Sequence, residues 1–168
     1  MIEDEFTREG LAVEVRRSFK ATDVLDVVSE LMLIRGAPRH IRSDKFRGGP
    51  EFIAHAIQRF LHQTDVKTLY IEPGAPWQNA YAESFNSRFR AEVLRRESFA
   101  DLGEAKHVSG WWRNHYNHRR PHSSLGYVTP AAYAATLRTS LKPAAVGAAP
   151  LPSQASANQP LTLIAGGT

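Results

Sequence analysis

Residues 40–71 read HIRSDKFRGGPEFIAHAIQRFLHQTDVKTLYI, and this stretch decides the fold class. His40-Ile41-Arg42 leads into Ser43-Asp44, a short strand ending at a carboxylate. Pro50 then opens a helix, at the position where the first N–H has no partner to lose. Ile53, Ala56, Ile57, Phe60 and Leu61 recur at helical spacing as its apolar stripe. Val66 to Ile71 is a second strand.

Outward from this unit the alternation continues. Upstream, Leu11-Ala12-Val13-Glu14-Val15 has strand character, and Thr22 is placed to cap a helix carrying Val24, Leu25, Val27, Val28, Leu31 and Ile34. Gly36 and Pro38 stop that helix. Downstream, Glu72-Pro73-Gly74-Ala75-Pro76 is a rigid loop. A longer helix is expected from about Gln78 to Leu94, burying Tyr81, Phe85, Phe89 and Val93. Asp101 and Glu104 have capping-box spacing for a last helix through Tyr116. Strands alternating with helices imply an α/β sheet covered by helices.

The 168 residues make room for one domain with a tail. A hydrophobic fraction of 42% with 23% charged residues excludes a wholly disordered chain. No run approaches the ~18 apolar residues of a membrane span, and the acidic start MIEDEFTREG is unlike a signal peptide. The absence of cysteine excludes disulfides, thiolate metal sites and cysteine nucleophiles. The expected location is the cytoplasm. From Pro143 to Thr168 no side chain is charged, and 14 of the 26 residues are Ala, Gly or Pro, a composition with little to bury. Residues 1–137 are therefore read as the ordered core and 138–168 as a disordered Ala/Pro-rich tail.

Charge is divided unevenly. Residues 1–84 carry a net −2 and residues 85–168 a net +6, with no acid after Glu104. A basic half interleaved with Trp, Tyr and His fits either a polyanion partner, most commonly nucleic acid, or a solvated basic surface. In Trp112, Tyr116, Asn117, Arg119, Arg120, Pro121 and His122, the arginines either contact phosphate, for which the guanidinium fork is matched, or pack a structural turn. His115, His118 and His122 also allow a zinc reading. Asp44 at a strand exit and Glu83 on the first turns of the long helix are two carboxylates on different rigid elements. They either converge on a hard divalent cation or are surface acids at element ends.

The wording around these residues narrows the choice. IRSD at 41–44, GPEF at 49–52 and PWQNAYAESFNSRFRAEVL at 76–94 resemble the integrase-core (DDE) transposases of bacterial insertion sequences, relatives of retroviral integrases. DEFTRE at 4–9, TLYIEPG at 68–74 and YNHRRPHSSLGYVTP at 116–130 extend the resemblance. It implies a ribonuclease-H-like fold, a mixed sheet flanked by helices, and an active site that cuts and joins DNA with Mg²⁺ or Mn²⁺. It makes Asp44 the second acid and Glu83 the third, both catalytic and metal-binding. Asn79, four residues before Glu83, is either a substrate contact or the helix N-cap. Lys45, Arg47, Arg88, Arg90, Arg119 and Arg120 complete the expected DNA-binding set. Trp77 and Tyr81 are core anchors or base-stacking platforms, the former being preferred.

Two departures accompany the resemblance. The family's SDNGPEF is here SDKFRGGPEF, so 38 residues separate Asp44 from Glu83, three more than the family pattern has. The lengthened turn sets where the Asp44 carboxylate points. Second, the family's first acid lies on a strand more than a dozen residues before the DEFTRE segment, which here begins at position 4. The chain is therefore expected to be truncated at its N-terminus, with Asp4 filling a turn rather than a metal site. In the family's sheet the strand order is 3-2-1-4-5, so the absent first strand is the central one. The strand near residues 11–15 would then have no neighbour linking it to those at 40–43 and 66–71. Unpaired edges invite association with another chain, as a homo-oligomer or with full-length transposase. The functional expectation is a fragment of a DNA transposition and integration enzyme that transfers strands with metal assistance. The alternative is an inactive remnant that binds DNA or inhibits full-length transposase; no membrane partner is expected.

Overall fold

The computed structural model describes residues 1–43, 51–70, 80–140 and 161–163. Strand β1 (Ile2–Asp4) turns back into β2 (Gly10–Ala12), followed by α1 (Ala21–Arg35), β3 (His40–Ser43), α2 (Glu51–Gln63) and β4 (Lys67–Tyr70). Then come α3 (Ala80–Phe89), a π-helical turn (Arg90–Leu94), α4 (Leu102–Arg119), a 3-10 turn (Ser123–Leu125), α5 (Pro130–Ser140) and β5 (Leu161–Leu163). The five strands form one sheet in the order β2-β1-β5-β3-β4.

The last strand in sequence thus lies in the middle. β5 pairs antiparallel with β1, Ile2 opposite Leu163 and Asp4 opposite Leu161. On its other side it pairs parallel with β3, Ile41 opposite Leu161 and Arg42 opposite Thr162. β3 and β4 are parallel in register from His40–Lys67 to Ser43–Tyr70. This is the order 3-2-1-4-5 that the resemblance implies, with β5 at the position of its first strand. The expectation that the strand after the DEFTRE turn would be cut off from β3 and β4 is overturned. Three residues of the stretch assigned to a disordered tail are a strand, and residues 138–140 belong to α5.

Side-chain alternation along β1 divides the interior. Ile2 joins Leu11, Val28, Ile41, Ile57, Leu61 and Val66 under α1 and α2, where each buried aliphatic side chain contributes about 1.5–3 kcal/mol. Glu3 faces the opposite side, whose core is Phe85, Phe89 and Val93 of α3 and its π turn against Trp112 and Tyr116 of α4. Phe85 meets Tyr116 edge-on at 4.8 Å between ring centres, and Phe89 meets Trp112 at 5.1 Å.

Local chemistry moved several boundaries. α1 starts at Ala21 with Lys20 as its N-cap, because Asp23 rather than Thr22 supplies the capping oxygen, accepting from the Lys20 N–H at 2.8 Å. Ile34, expected in the apolar stripe of α1, is 69% exposed. β2 is shorter than the 11–15 run. Tyr81, expected in the core, is 49% exposed, with the Arg8 guanidinium 3.3 Å above its ring. The Asp101–Glu104 box is formed as the spacing predicts, with the Glu104 N–H donating to Asp101 Oδ1 at 2.8 Å.

The outer edge of β2 is closed by α4. Asn117 Oδ1 accepts from the Gly10 N–H at 2.8 Å, and its Nδ2 donates to the Gly10 carbonyl at 3.0 Å, as a neighbouring strand would. Arg113 donates to the Leu11 carbonyl. The contact requires glycine: a Cβ at Gly10 would lie 2.6 Å from the Phe85 ring.

Deleting residues 141–168 should expose the facing edges of β1 and β3. The shortened chain is expected to elute as higher oligomers and to lose its cooperative thermal transition. A monomeric deletion variant with an unchanged Tm would mean that β5 is not part of the sheet.

Candidate functional site

β3 ends at Ser43, and Asp44 is the next residue, so the strand exit stands where the sequence placed it. Asp44, Lys45, Arg47, Trp77 and Asn79 lie outside the described residues. Glu83 sits in the first turn of α3, exposed, with no ion pair or hydrogen bond to any described residue. An exposed, unpaired carboxylate on a rigid helix fits a hard divalent cation as one ligand. Among the described residues no three His, Asp or Glu side chains gather into a metal site, and this includes His115, His118 and His122.

The basic residues divide by partner. Arg88, Arg90 and Arg119 are exposed. Arg120 turns inward: its Nη1 donates to Glu92 Oε2 at 3.2 Å, and Trp112 Nε1 donates to the same oxygen at 2.8 Å. Partial burial opposes ionisation of Glu92, but the Arg120 and Trp112 hydrogen bonds outweigh it and hold the carboxyl below its usual range. Arg120 therefore ties the end of α4 to the π turn. Asn117 of the same motif seals the sheet edge.

The DEFTRE segment is equally committed. Asp4 Oδ1 accepts from the Phe6 and Thr7 N–H groups at 2.9 and 3.1 Å, making the turn that was expected of it. Glu9, 4% exposed, pairs with Arg35 at 2.7 Å and Arg138 at 3.4 Å. Arg42 pairs with Glu5 at 3.1 Å. Phe6 packs on Tyr133 of α5 at 5.9 Å.

Sequence reasoning did not find the polar cavity between this turn, α3 and the segment after α4. It has a volume of about 400 Å³ and is lined by Glu3, Arg8, Tyr81, Arg88, Tyr116 and His122, among others. Glu3 is 2% exposed, and its Oε2 has no hydrogen-bond partner. Burial pushes its carboxyl up to about 8, against the opposing pull of Arg8. Burial pushes the His122 imidazole down to about 4, aided by Arg88, Arg120 and Arg8. Burial also raises the Tyr116 phenol. The one available signal was a charged residue, Glu3, alternating with Ile2 on a strand.

The family model for the integrase core domain matches residues 64–130. A 39.2 kDa protein of insertion element IS476 from Xanthomonas euvesicatoria is 43% identical over 136 residues, which is 81% of this chain and 38% of that protein. A 31.7 kDa protein of insertion element IS407 from Burkholderia multivorans is 37% identical over 135 residues, 80% and 48% of the two lengths. The transposase of insertion sequence IS629 from Shigella sonnei is 29% identical over 131 residues, 76% and 43%. The chain belongs to the integrase-core transposases of bacterial insertion sequences. It spans less than half the length of these curated relatives. Among solved structures it is similar to the HTLV-2 integrase catalytic core domain in complex with magnesium, at 16% identity and a TM-score of 0.45, covering 77% of this chain and 79% of that one. No helix among the described residues of this integrase-core chain is long and apolar enough to cross a membrane.

The cavity makes stability depend on pH with a definite sign. Glu3 binds its proton more tightly in the folded state, so its contribution falls as pH rises from 4.5 to about 8, by about 1.4 kcal/mol per pH unit. His122 binds its proton less tightly when folded, so its contribution rises with pH from about 4 to 6.5. The two oppose each other up to 6.5, and Glu3 acts alone from there to 8. Urea unfolding of Glu3→Gln is expected to show a gain over the native chain that grows between pH 6.5 and 8. A constant difference across that interval would place Glu3 in water.

Proposed function

We propose that this chain is the core segment of an insertion-sequence transposase that holds DNA through its C-terminal half. In this reading Asp44 and Glu83 are the second and third catalytic acids. The supporting observation is the exposed, unpaired Glu83 at the start of α3, on the same helix as the exposed Arg88. The bound Mg²⁺ or Mn²⁺ would supply positive charge at the attacking and leaving oxygens of a phosphodiester. This chain's own residues hold the ion through Asp44 and Glu83 and place the strand through phosphate contacts. Lys45, Arg47, Asn79, Arg88, Arg90 and Arg119 are the contacts in this account, with Arg120 placing the α4 end through Glu92.

A second role is favoured by the strand at the sheet centre: in this chain Leu161, Thr162 and Leu163 occupy it, and none is an acid. Such a chain binds DNA without joining it, alone or assembled with a full-length transposase. Removing one ligand from a two-metal site removes charge stabilisation worth several kcal/mol of barrier.

Binding should be insensitive to sequence and steep in salt. With three to five of these side chains on phosphates at one time, at about −0.9 each, the log–log slope on duplex DNA is about −3 to −4. Arg119→Ala is expected to flatten it by about one unit on every sequence, whereas Arg120→Ala should chiefly lower the Tm. An unchanged slope in Arg119→Ala, or affinity independent of salt, would remove the proposed interface.

Calorimetry is expected to show one millimolar-range Mn²⁺ site, lost in Asp44→Asn and in Glu83→Gln, with no joining of labelled DNA ends. Two tight sites, or metal-dependent joining abolished by Glu83→Gln, would make the chain a complete strand transferase.

A further inference from the structure

We propose that the cavity between the β1–β2 turn, α3 and the His122 turn is a phosphate-binding site, taking the phosphate of a DNA strand or of a free nucleotide. The donors come first. Arg8 Nε and Nη1 are buried without hydrogen-bond partners, as is His122 Nε2. Tyr81 covers one face of the Arg8 guanidinium, which leaves the N–H edge as its free polar surface. Arg88 adds a second guanidinium, and Ser123 and Ser124 line the same space. Two guanidinium groups with hydroxyl donors match a tetrahedral anion better than a planar one.

Arg8 holds this position under backbone constraint. Its φ is +60°, a conformation that residues with a side chain rarely adopt. The turn enforces it, the Arg8 N–H donating to the Asp4 carbonyl at 2.8 Å and the Asp4 N–H to the Glu9 carbonyl at 2.9 Å.

The charge around Glu3 favours an anion at neutral pH. Arg8 and Arg88 are positive, His122 is neutral above about 4, Tyr116 is neutral, and Glu3 stays largely protonated below about 8. Asp4 and Glu5 on the adjoining chain raise Glu3 further. Above pH 8 the Glu3 carboxylate and the ligand repel each other. About 400 Å³ is within the range of small-ligand pockets, and the exposed ring of Tyr127, at 76%, stands at its lining for a base to stack upon.

The cavity shares Arg88 with the proposed DNA interface, so it is tested with small anions, which do not span that interface. The full chain is titrated with dimethyl phosphate, inorganic phosphate, thymidine 5′-monophosphate and thymidine, followed by backbone amide NMR shifts around residues 8, 88 and 122. Millimolar-range binding of the three phosphates, without binding of thymidine, is expected. Arg88→Ala and Arg8→Gly should each weaken it by about tenfold, and Arg8→Gly relieves the positive φ, so the fold is kept. Dimethyl phosphate keeps one charge throughout, so its weaker binding at pH 9 than at pH 6.5, abolished by Glu3→Gln, marks the Glu3 charge. Tighter binding of the mononucleotide than of the other two phosphates supports a nucleotide occupant, and equal binding supports a backbone phosphate. Binding of thymidine as strong as that of its phosphate, or phosphate binding undiminished in both arginine variants, would overturn the proposal.

Discussion

Hydrogen bonding of Leu161–Leu163 to β1 on one side and β3 on the other makes the sheet continuous. Without that pairing the β1–β2 hairpin and the β3–β4 pair would each present a bare edge, and buried backbone groups without partners cost about 1–3 kcal/mol each. The two interior clusters are built on opposite faces of the sheet thus closed. Ile2 and Ile41 meet the same helices because β5 holds β1 and β3 two strand spacings apart. Glu3, on the other face, is brought against α3 and α4 by the same pairing.

The chemistry that the resemblance implies at the sheet's centre is what this arrangement changes. In the family resemblance, the central strand carries an acid. Here the central strand is drawn from a stretch with no charged side chain between Pro143 and Thr168. A sheet can be completed by any short apolar segment that supplies main-chain groups in register, whereas a metal site needs a carboxylate at one position. Folding and metal binding therefore place unequal demands on the same slot, and Leu161–Leu163 meet the demand for main-chain pairing.

Much of the architecture was legible because it rests on local signals. The α2 stripe of Ile57 and Leu61, the Asp101–Glu104 box and the burial of Phe85, Phe89 and Val93 follow from spacing alone. The Asp4 turn also followed from residue type. What spacing could not reveal was long-range. β5 is separated from α5 by 20 residues in sequence, and three residues of Leu and Thr carry no periodicity to announce a strand. α5, Ala-rich with little amphipathic pattern, was missed for a similar reason. Glu83, Arg88, Arg90 and Arg119, which the sequence reading singled out, are exposed on α3, its π turn and α4. The cavity was not legible, because His122 is remote in sequence from Glu3 and Arg8, and Glu3 and His122 acquire their shifted chemistry only through burial. Arg120 reads by type as a phosphate contact or a packing group, and it holds Glu92, while Asn117 of the same motif closes the β2 edge, a pairing no spacing announces.

Hydrogen exchange at the amides of Leu161–Leu163 in the intact chain addresses the central pairing most directly. Main-chain groups in the middle of a closed sheet open only with sub-global or global unfolding. Protection of these amides comparable to that of Ile41 and Arg42 is the result the structure predicts. Complete exchange at Leu161–Leu163 in the earliest time point, while Ile41 and Arg42 remain protected, would contradict it and leave the sheet without its central strand.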